Sequence, residues 1–161
     1  MLLEFKTKNY KSFVEEASFS MVAAPKQKGL DYSLMKTKIK GKEIKGLSSS
    51  VIYGPNAAGK TNIIGAMDVL RAIVLRGNIR NSEEKSSPNP AAAALELIPN
   101  NNEMESKPVC FEIEFYEEDG EDHKFKIHYE LEVDLGTFLE EEYQRKILAE
   151  VLEVNGERVF E

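Results

Sequence analysis

The chain has 161 residues, of which 42% are hydrophobic and 30% are charged, with a net charge of −7. This length suits one domain with one hydrophobic core, and the composition is that of a globular protein. No apolar run reaches membrane-spanning length, no secretory signal pattern opens the chain, and the single Cys110 excludes an internal disulfide. These features predict a protein of the cytoplasm without a membrane partner.

The charges are unevenly distributed along the chain. Residues 1–60 carry eleven lysines and five acids, whereas residues 101–161 carry six basic and nineteen acidic side chains. A basic first part suits anionic ligands, and an acidic last part argues against a nucleic-acid groove there. The alternative is that both regions are ordinary solvated faces.

The N-terminal part predicts antiparallel strands. Residues 2–7 (LLEFKT) and 14–22 alternate apolar and polar side chains, and a short polar connection separates them. Residues 32–40 are rich in lysine and predict a loop or a solvent-exposed edge strand. Residues 41–47 then lead toward a further strand.

The stretch from Ser50 to Met67 contains the strongest functional pattern. Residues 54–61 read G-P-N-A-A-G-K-T, which fits the phosphate-binding pattern G-x-x-x-x-G-K-[S/T]. Residues 51–53 (VIY) precede it and predict a strand, and an apolar repeat at helical spacing follows it, with a stop at Gly77. The order strand, glycine loop, helix separates a P-loop from a chance match.

Each residue type in this loop has a chemical role. Gly54 and Gly59 let the backbone turn tightly, so that successive N–H groups form an anion site at the positive end of the helix. Lys60 would reach the β- and γ-phosphates, and the Thr61 hydroxyl would be a ligand of Mg²⁺. The predicted nucleotide-binding residues are Gly54, Asn56, Ala57, Ala58, Gly59, Lys60, Thr61 and Asn62. The alternative is a glycine turn that caps an ordinary helix.

The last third of the chain predicts an antiparallel β subdomain. Before it, residues 80–90 predict a mobile loop and residues 91–97 two helical turns. The segments 109–116, 124–133 and 146–154 then follow, and the first two alternate cleanly. Asn155-Gly156 ends the third segment and is the strongest short hairpin signal available. One-sided alternation of this kind is typical of antiparallel sheets.

These elements predict an α/β fold of the P-loop NTPase type with an antiparallel β subdomain. We expect residues 1–161 to form a single partial ATPase domain. Its parts are the N-terminal strands, P-loop and first helix (1–77), a mobile loop region (78–108) and the antiparallel β lobe (109–161).

Two segments of the sequence resemble a known family. The residues that match F-x-x-x-N-[YF]-[KR]-S-[FH] are Phe5, Asn9, Tyr10, Lys11, Ser12 and Phe13. The residues that match G-x-N-x-x-G-K-[ST]-[NT] are Gly54, Asn56, Gly59, Lys60, Thr61 and Asn62. With these two segments in this order, the chain resembles the ABC-type ATPase heads of the SMC/RecF class. The chain looks most like the RecF-like AAA-family ATPases of bacterial phage-defence and abortive-infection systems, which are related to OLD-family proteins.

The resemblance covers most of the chain, since the rear strands are also similar to the β lobe of these proteins. It implies ATP and Mg²⁺ as ligands, and it implies that Lys11 and Ser12 lie near the phosphates. It also implies a head-to-head dimer that encloses ATP, and DNA or a defence effector as a further partner. Ala57 departs from the pattern, because many relatives have glycine there.

Hydrolysis needs more than a phosphate cradle, because a Walker-B carboxylate must bind Mg²⁺ and another group must position the attacking water. The sequence has no apolar run of four residues ending in Asp or Asp-Glu, no L-S-x-G-Q-like signature and no coiled coil. Residues 115–118 (FYEE) come nearest, but they end an alternating strand. We therefore expect the N-terminal lobe of an ATPase, with no catalytic residue of its own and poor or no hydrolysis alone.

Two other functions fit parts of the sequence. One is an interaction or regulatory module that has lost nucleotide binding and uses its acidic face. The other is a complete small P-loop kinase, which would need further parallel strands and helices after the first helix. The hairpins predicted in residues 100–161 argue against the kinase.

Overall fold

The computed structural model describes residues 1–25, 29–39, 41–79, 96–101, 107–121, 123–137 and 144–161. These residues form a six-stranded antiparallel sheet, a separate two-stranded hairpin and an α-helix. The sheet strands are β1 (Leu2–Lys8), β2 (Ala17–Ser20), β5 (Val109–Glu118), β6 (Lys124–Asp134), β7 (Lys146–Val154) and β8 (Glu157–Phe160). The hairpin strands are β3 (Leu34–Ile39) and β4 (Lys42–Leu47), and the helix is α1 (Lys60–Arg76). A short 3-10 helix, Asp31–Ser33, precedes β3.

The alternating segments form strands, as the sequence predicts. Four strands lie where the sequence predicted them, namely β1, β5, β6 and β7. β2 is shorter than the predicted segment 14–22. The lysine-rich segment forms β3, which pairs with β4 from Leu34 opposite Leu47 to Ile39 opposite Lys42. The predicted turn between β7 and β8 is also confirmed. Asn155 and Gly156 have φ values of 54° and 80°, the left-handed pair that a tight hairpin requires.

The sheet extends further than the antiparallel lobe predicted at residues 109–161. Its strand order is β2-β1-β5-β6-β7-β8, so the two N-terminal strands belong to the same sheet. β1 pairs antiparallel with β5, with Phe5 opposite Ile113 and Thr7 opposite Phe111. Alternation within each segment cannot reveal this pairing, because the partners are far apart in the sequence.

α1 packs on one face of the sheet and forms the core with it. Its buried side chains are Ile63, Ala66, Val69, Leu70 and Ile73. They belong to one cluster with Phe5, Phe111 and Leu131 of the sheet and with Tyr10. The helix ends as predicted at Gly77, which has a φ of 65° and donates its N–H to Ile73 O at 2.9 Å.

α1 covers only part of this sheet face. An apolar groove of about 580 Å³ remains between the C-terminal half of α1 and strands β5 to β8, and Val74, Ile127, Leu152 and Phe160 contribute to its lining. The gap follows from element widths, because a helix about 10 Å wide covers roughly two strands spaced about 4.8 Å apart.

Two predictions from the middle of the chain concern residues beyond these ranges. The mobile loop at 80–90 and most of the helical turns at 91–97 lie outside the described residues, and Glu96 and Leu97 themselves are in no helix. No helix that the structure describes has the length and apolar character that a membrane crossing requires.

Candidate functional site

The segment before the phosphate loop does not form the predicted strand. Residues 51–53 are in no regular element, and Val51 and Tyr53 are 81% and 90% exposed. The prediction is wrong here because strand-forming side chains make a strand only when another strand supplies hydrogen-bond partners. Among the described residues, no strand pairs with this segment.

The loop itself adopts a conformation that only small residues accept readily. Ala57 has a φ of 63° and Gly59 a φ of 83°, both in the left-handed region. A side chain at Gly59 would place its Cβ 3.0 Å from Cε1 of Phe13. Glycine is therefore required at residue 59 for two reasons, and the Ala57 methyl group raises the energy of the loop.

Lys60 lies across the start of the loop. Its Nζ donates hydrogen bonds to Gly54 O at 2.8 Å and to Pro55 O at 2.6 Å. Lys60 is the first residue of α1, and these two hydrogen bonds direct its ammonium group back toward the loop. The ammonium group is available to a stronger acceptor, because a charged phosphate oxygen binds it better than a neutral carbonyl does.

The N-terminus of α1 faces the same loop. The N–H groups of Asn62 and Ile63 donate to Gly59 O at 3.0 and 3.2 Å, so the amides of Lys60 and Thr61 precede the first intrahelical hydrogen bonds. The first turn contains no acidic residue, and the Thr61 side chain is exposed. These donors and the helix dipole favour an anion here.

A second segment, the turn of residues 9–13, lies beside the loop. Its Asn9 and Lys11 have φ values of 54° and 48°. Tyr10 between them is fully buried, with its ring edge-on to Phe111 at 5.8 Å and its hydroxyl donating to Glu96 O at 3.1 Å. The left-handed residues on either side of Tyr10 allow the backbone to reverse while this side chain enters the core.

The turn contacts the phosphate loop through Ser12 and Phe13. Asn62 Nδ2 donates to Ser12 Oγ at 2.7 Å, and the Phe13 ring lies against Gly59. The structure therefore brings Ser12 next to the predicted phosphate site. The sequence assigned no role to Phe13, and the signal that could have identified it is its place in the same matched segment as Lys11 and Ser12.

Lys11 of the same turn is held by an acidic side chain and an aromatic ring. Its Nζ forms an ion pair with the Glu96 carboxylate and lies 5.5 Å from the centroid of the Tyr10 ring. Burial lowers the pKa of Lys11, but the hydrogen bond to Glu96 and the negative charge nearby outweigh it, so the pKa is raised. Glu96 was not predicted as part of this region, and a phosphate contact of Lys11 stays a prediction.

The loop, the helix N-terminus and the lysine are arranged as in a P-loop, apart from residues 51–53, which form no strand. Comparison with known proteins gives the class, a P-loop NTPase domain. The family model described as "AAA domain, putative AbiEii toxin, Type IV TA system" matches residues 49–154. The chain belongs to this family. It is therefore a nucleotide-binding, ATPase-like domain linked to abortive infection. No curated protein and no solved structure matches the chain.

Proposed function

We propose that this chain binds ATP with Mg²⁺ through residues 54–62, as the N-terminal part of a RecF-like, ABC-type ATPase. The observation that supports this best is the arrangement of the loop. Three features that favour an anion meet at the start of α1: the Lys60 ammonium group, the backbone amides of the first turn and the left-handed Gly59.

The start of α1 also offers an oxygen ligand, which is the type that Mg²⁺ prefers. The Thr61 hydroxyl is an exposed oxygen at the start of α1 and would be the protein ligand of the ion. The ion would neutralise charge on the phosphate oxygens. The residues of this chain bind and orient the phosphates: Lys60 exchanges its carbonyl partners for phosphate oxygens, and the backbone amides donate to the phosphate.

Hydrolysis by this chain alone is proposed to be poor or absent. The sequence offers no Walker-B carboxylate and no group in a clear position to orient water. The exposed residues 51–53 support the idea of an incomplete site, because a β-branched and aromatic segment next to the loop lacks a strand partner among the described residues. In this proposal a head-to-head dimer completes the site, and the ATPase acts in DNA-related or anti-phage work.

Calorimetry tests nucleotide binding directly. ATP with Mg²⁺ is titrated into the wild-type chain, Lys60→Ala and the matched control Lys38→Ala, whose exposed lysine lies on β3. We expect binding in the wild type and the control, and at least about tenfold weaker binding in Lys60→Ala, since a charge-assisted hydrogen bond is worth roughly 1.5–3 kcal/mol.

Two results would contradict parts of this proposal. No heat in wild type and no heat in Lys60→Ala would favour the interaction module without nucleotide. Phosphate release by the wild-type chain that clearly exceeds that of Lys60→Ala would refute the incomplete site while leaving ATP binding intact.

A further inference from the structure

Two contacts join the turn of residues 9–13 to the phosphate loop, and this turn lies outside the region that the family model matches. Asn62 Nδ2 donates to Ser12 Oγ at 2.7 Å. The Phe13 ring packs against Gly59, with Cε1 3.0 Å from the position that a Cβ of residue 59 would take. Gly59, the last loop residue before α1, and Asn62 in the first turn of α1 are therefore both in contact with the turn.

Hydrogen bonds hold the turn in a left-handed backbone, which asparagine tolerates at residue 9 but lysine disfavours at residue 11. Asn9 and Lys11 are both left-handed, with φ values of 54° and 48°. Lys11 N–H donates to Ile98 O at 3.0 Å, and Asn100 N–H donates to Asn9 O at 3.0 Å. Left-handed backbone in a residue such as lysine persists only where the surroundings enforce it, and such strain clusters at functional sites.

We propose that Ser12 is a positioning residue for the nucleotide site. Its hydroxyl oxygen holds the side-chain amide of Asn62 and thereby fixes the first turn of α1, whose amides receive the phosphates. This inference rests on the proposed function. It differs from what the resemblance implies, namely that Ser12 lies near the phosphates as a ligand, because here Ser12 acts through Asn62.

The same contacts connect the nucleotide site to residues 96–101. These residues are bonded to the turn through Ile98 O, the Asn100 amide and the Tyr10 hydroxyl. When phosphate binding fixes Asn62, the turn loses freedom and the segment bonded to it exchanges its amide hydrogens more slowly. Ser12 supplies the hydrogen bond of this connection, and Phe13 supplies the packing contact with Gly59.

A double-mutant cycle separates the positioning role from direct phosphate contact. ATP with Mg²⁺ is titrated into full-length wild type, Ser12→Ala, Asn62→Ala and the double variant. Ser18→Ala is the matched control, because Ser18 Oγ donates an exposed side-chain hydrogen bond to Glu4 at 3.2 Å, away from the loop. Ser12→Ala should weaken ATP binding about 3- to 10-fold, and it should weaken it no further when Asn62 is already alanine.

Hydrogen exchange supplies a readout that a purely structural role would not change. ATP with Mg²⁺ should slow exchange at the amides of Lys11 and Asn100 in wild type and in Ser18→Ala, but not in Ser12→Ala. The thermal midpoints of Ser12→Ala and Ser18→Ala without nucleotide should be alike, since both remove an exposed hydroxyl.

The possible failures are distinguishable. Suppose that the wild type binds ATP and that Ser12→Ala weakens binding by the same factor in the wild type and in Asn62→Ala. This result would show direct phosphate contact by Ser12 and would overturn the positioning role but not the proposed function. If Ser12→Ala kept the wild-type affinity for ATP and the wild-type amide protection, the positioning role would again be overturned and the proposed function would stand. Absence of binding in both wild type and Lys60→Ala would overturn the proposed function and this inference with it.

Discussion

The phosphate loop of residues 54–62 and the adjacent turn of residues 9–13 differ in how they are held. In the loop, residues 54–58 are exposed, and the Lys60 ammonium group spans the carbonyls of Gly54 and Pro55. In the turn, Tyr10 is fully buried, and the backbone is bonded to residues 98 and 100. Both contain left-handed residues other than glycine, so both store strain.

A binding loop can be exposed and still have a defined shape. A loop that receives phosphates must leave its donors accessible, so it cannot use them for its own stability. Its geometry then depends on a neighbour that is stable for other reasons, and the turn is such a neighbour because Tyr10 anchors it in the core. Substitution of the buried Tyr10 should therefore mainly change folding, whereas substitution of Lys60 in the loop should mainly change binding.

Removal of the Tyr10 side chain should have the largest effect on stability. Truncation of a buried aromatic residue costs about 3–5 kcal/mol, so we expect Tyr10→Ala to lower the free energy of unfolding by that amount. Tyr32→Ala is the matched control, because Tyr32 is 84% exposed. Urea denaturation measures both.

A milder variant keeps this prediction testable if Tyr10→Ala does not fold. Tyr10→Phe retains the ring but loses the hydrogen bond to Glu96 O, so it should lower the free energy of unfolding by about 1 kcal/mol. Equal small effects of all three tyrosine variants would show that the turn is not the more stable of the two regions.

Gly59→Ala should have an intermediate effect on stability and a strong effect on ATP binding. The left-handed backbone and the close approach to Phe13 together should cost about 1–2 kcal/mol. In the control Gly120→Ala the added Cβ meets nothing within 4 Å, and the change should stay within about 0.5 kcal/mol. Thermal unfolding and ATP titration check both; a Gly59→Ala chain that binds ATP normally would contradict the assigned loop geometry.

Ala57→Gly should have the smallest effect, and its sign should be stabilising. Glycine relieves a left-handed cost of about 1–2 kcal/mol at Ala57, whereas its freedom in the unfolded chain costs roughly 0.5–1 kcal/mol. The net gain should be about 0.5 kcal/mol. Ala58→Gly is the control, because Ala58 is not among the left-handed residues, and it should be slightly destabilising. Identical shifts of the two variants in thermal unfolding would contradict the strain assigned to residue 57.

Local patterns in the sequence predicted the elements that depend on local signals. The helical spacing of Ile63, Met67, Leu70 and Val74 identified α1, although Val74 is 55% exposed, and Gly77 identified its end. The Asn155-Gly156 pair identified the hairpin, because its turn needs two left-handed residues.

Features that depend on distant partners were not predictable in this way. The sequence predicted a strand at residues 51–53 because the side chains favour one, but no strand pairs with them among the described residues. The pairing of β1 with β5 and the bond between Lys11 and Glu96 join distant residues through the fold. The left-handed backbone at Lys11 is likewise imposed by its surroundings and not by its residue type.

The location of bound nucleotide tests most directly whether residues 54–62 form the ATP site. Amide chemical shifts of the full chain are followed by NMR while ATP with Mg²⁺ is added. We predict the largest changes at the amides of residues 56–62, followed by those of residues 11–13, and their loss in Lys60→Ala. ATP-dependent shift changes confined to the outer strands of the sheet, with unchanged amide shifts at residues 56–62, would contradict ATP binding by this loop.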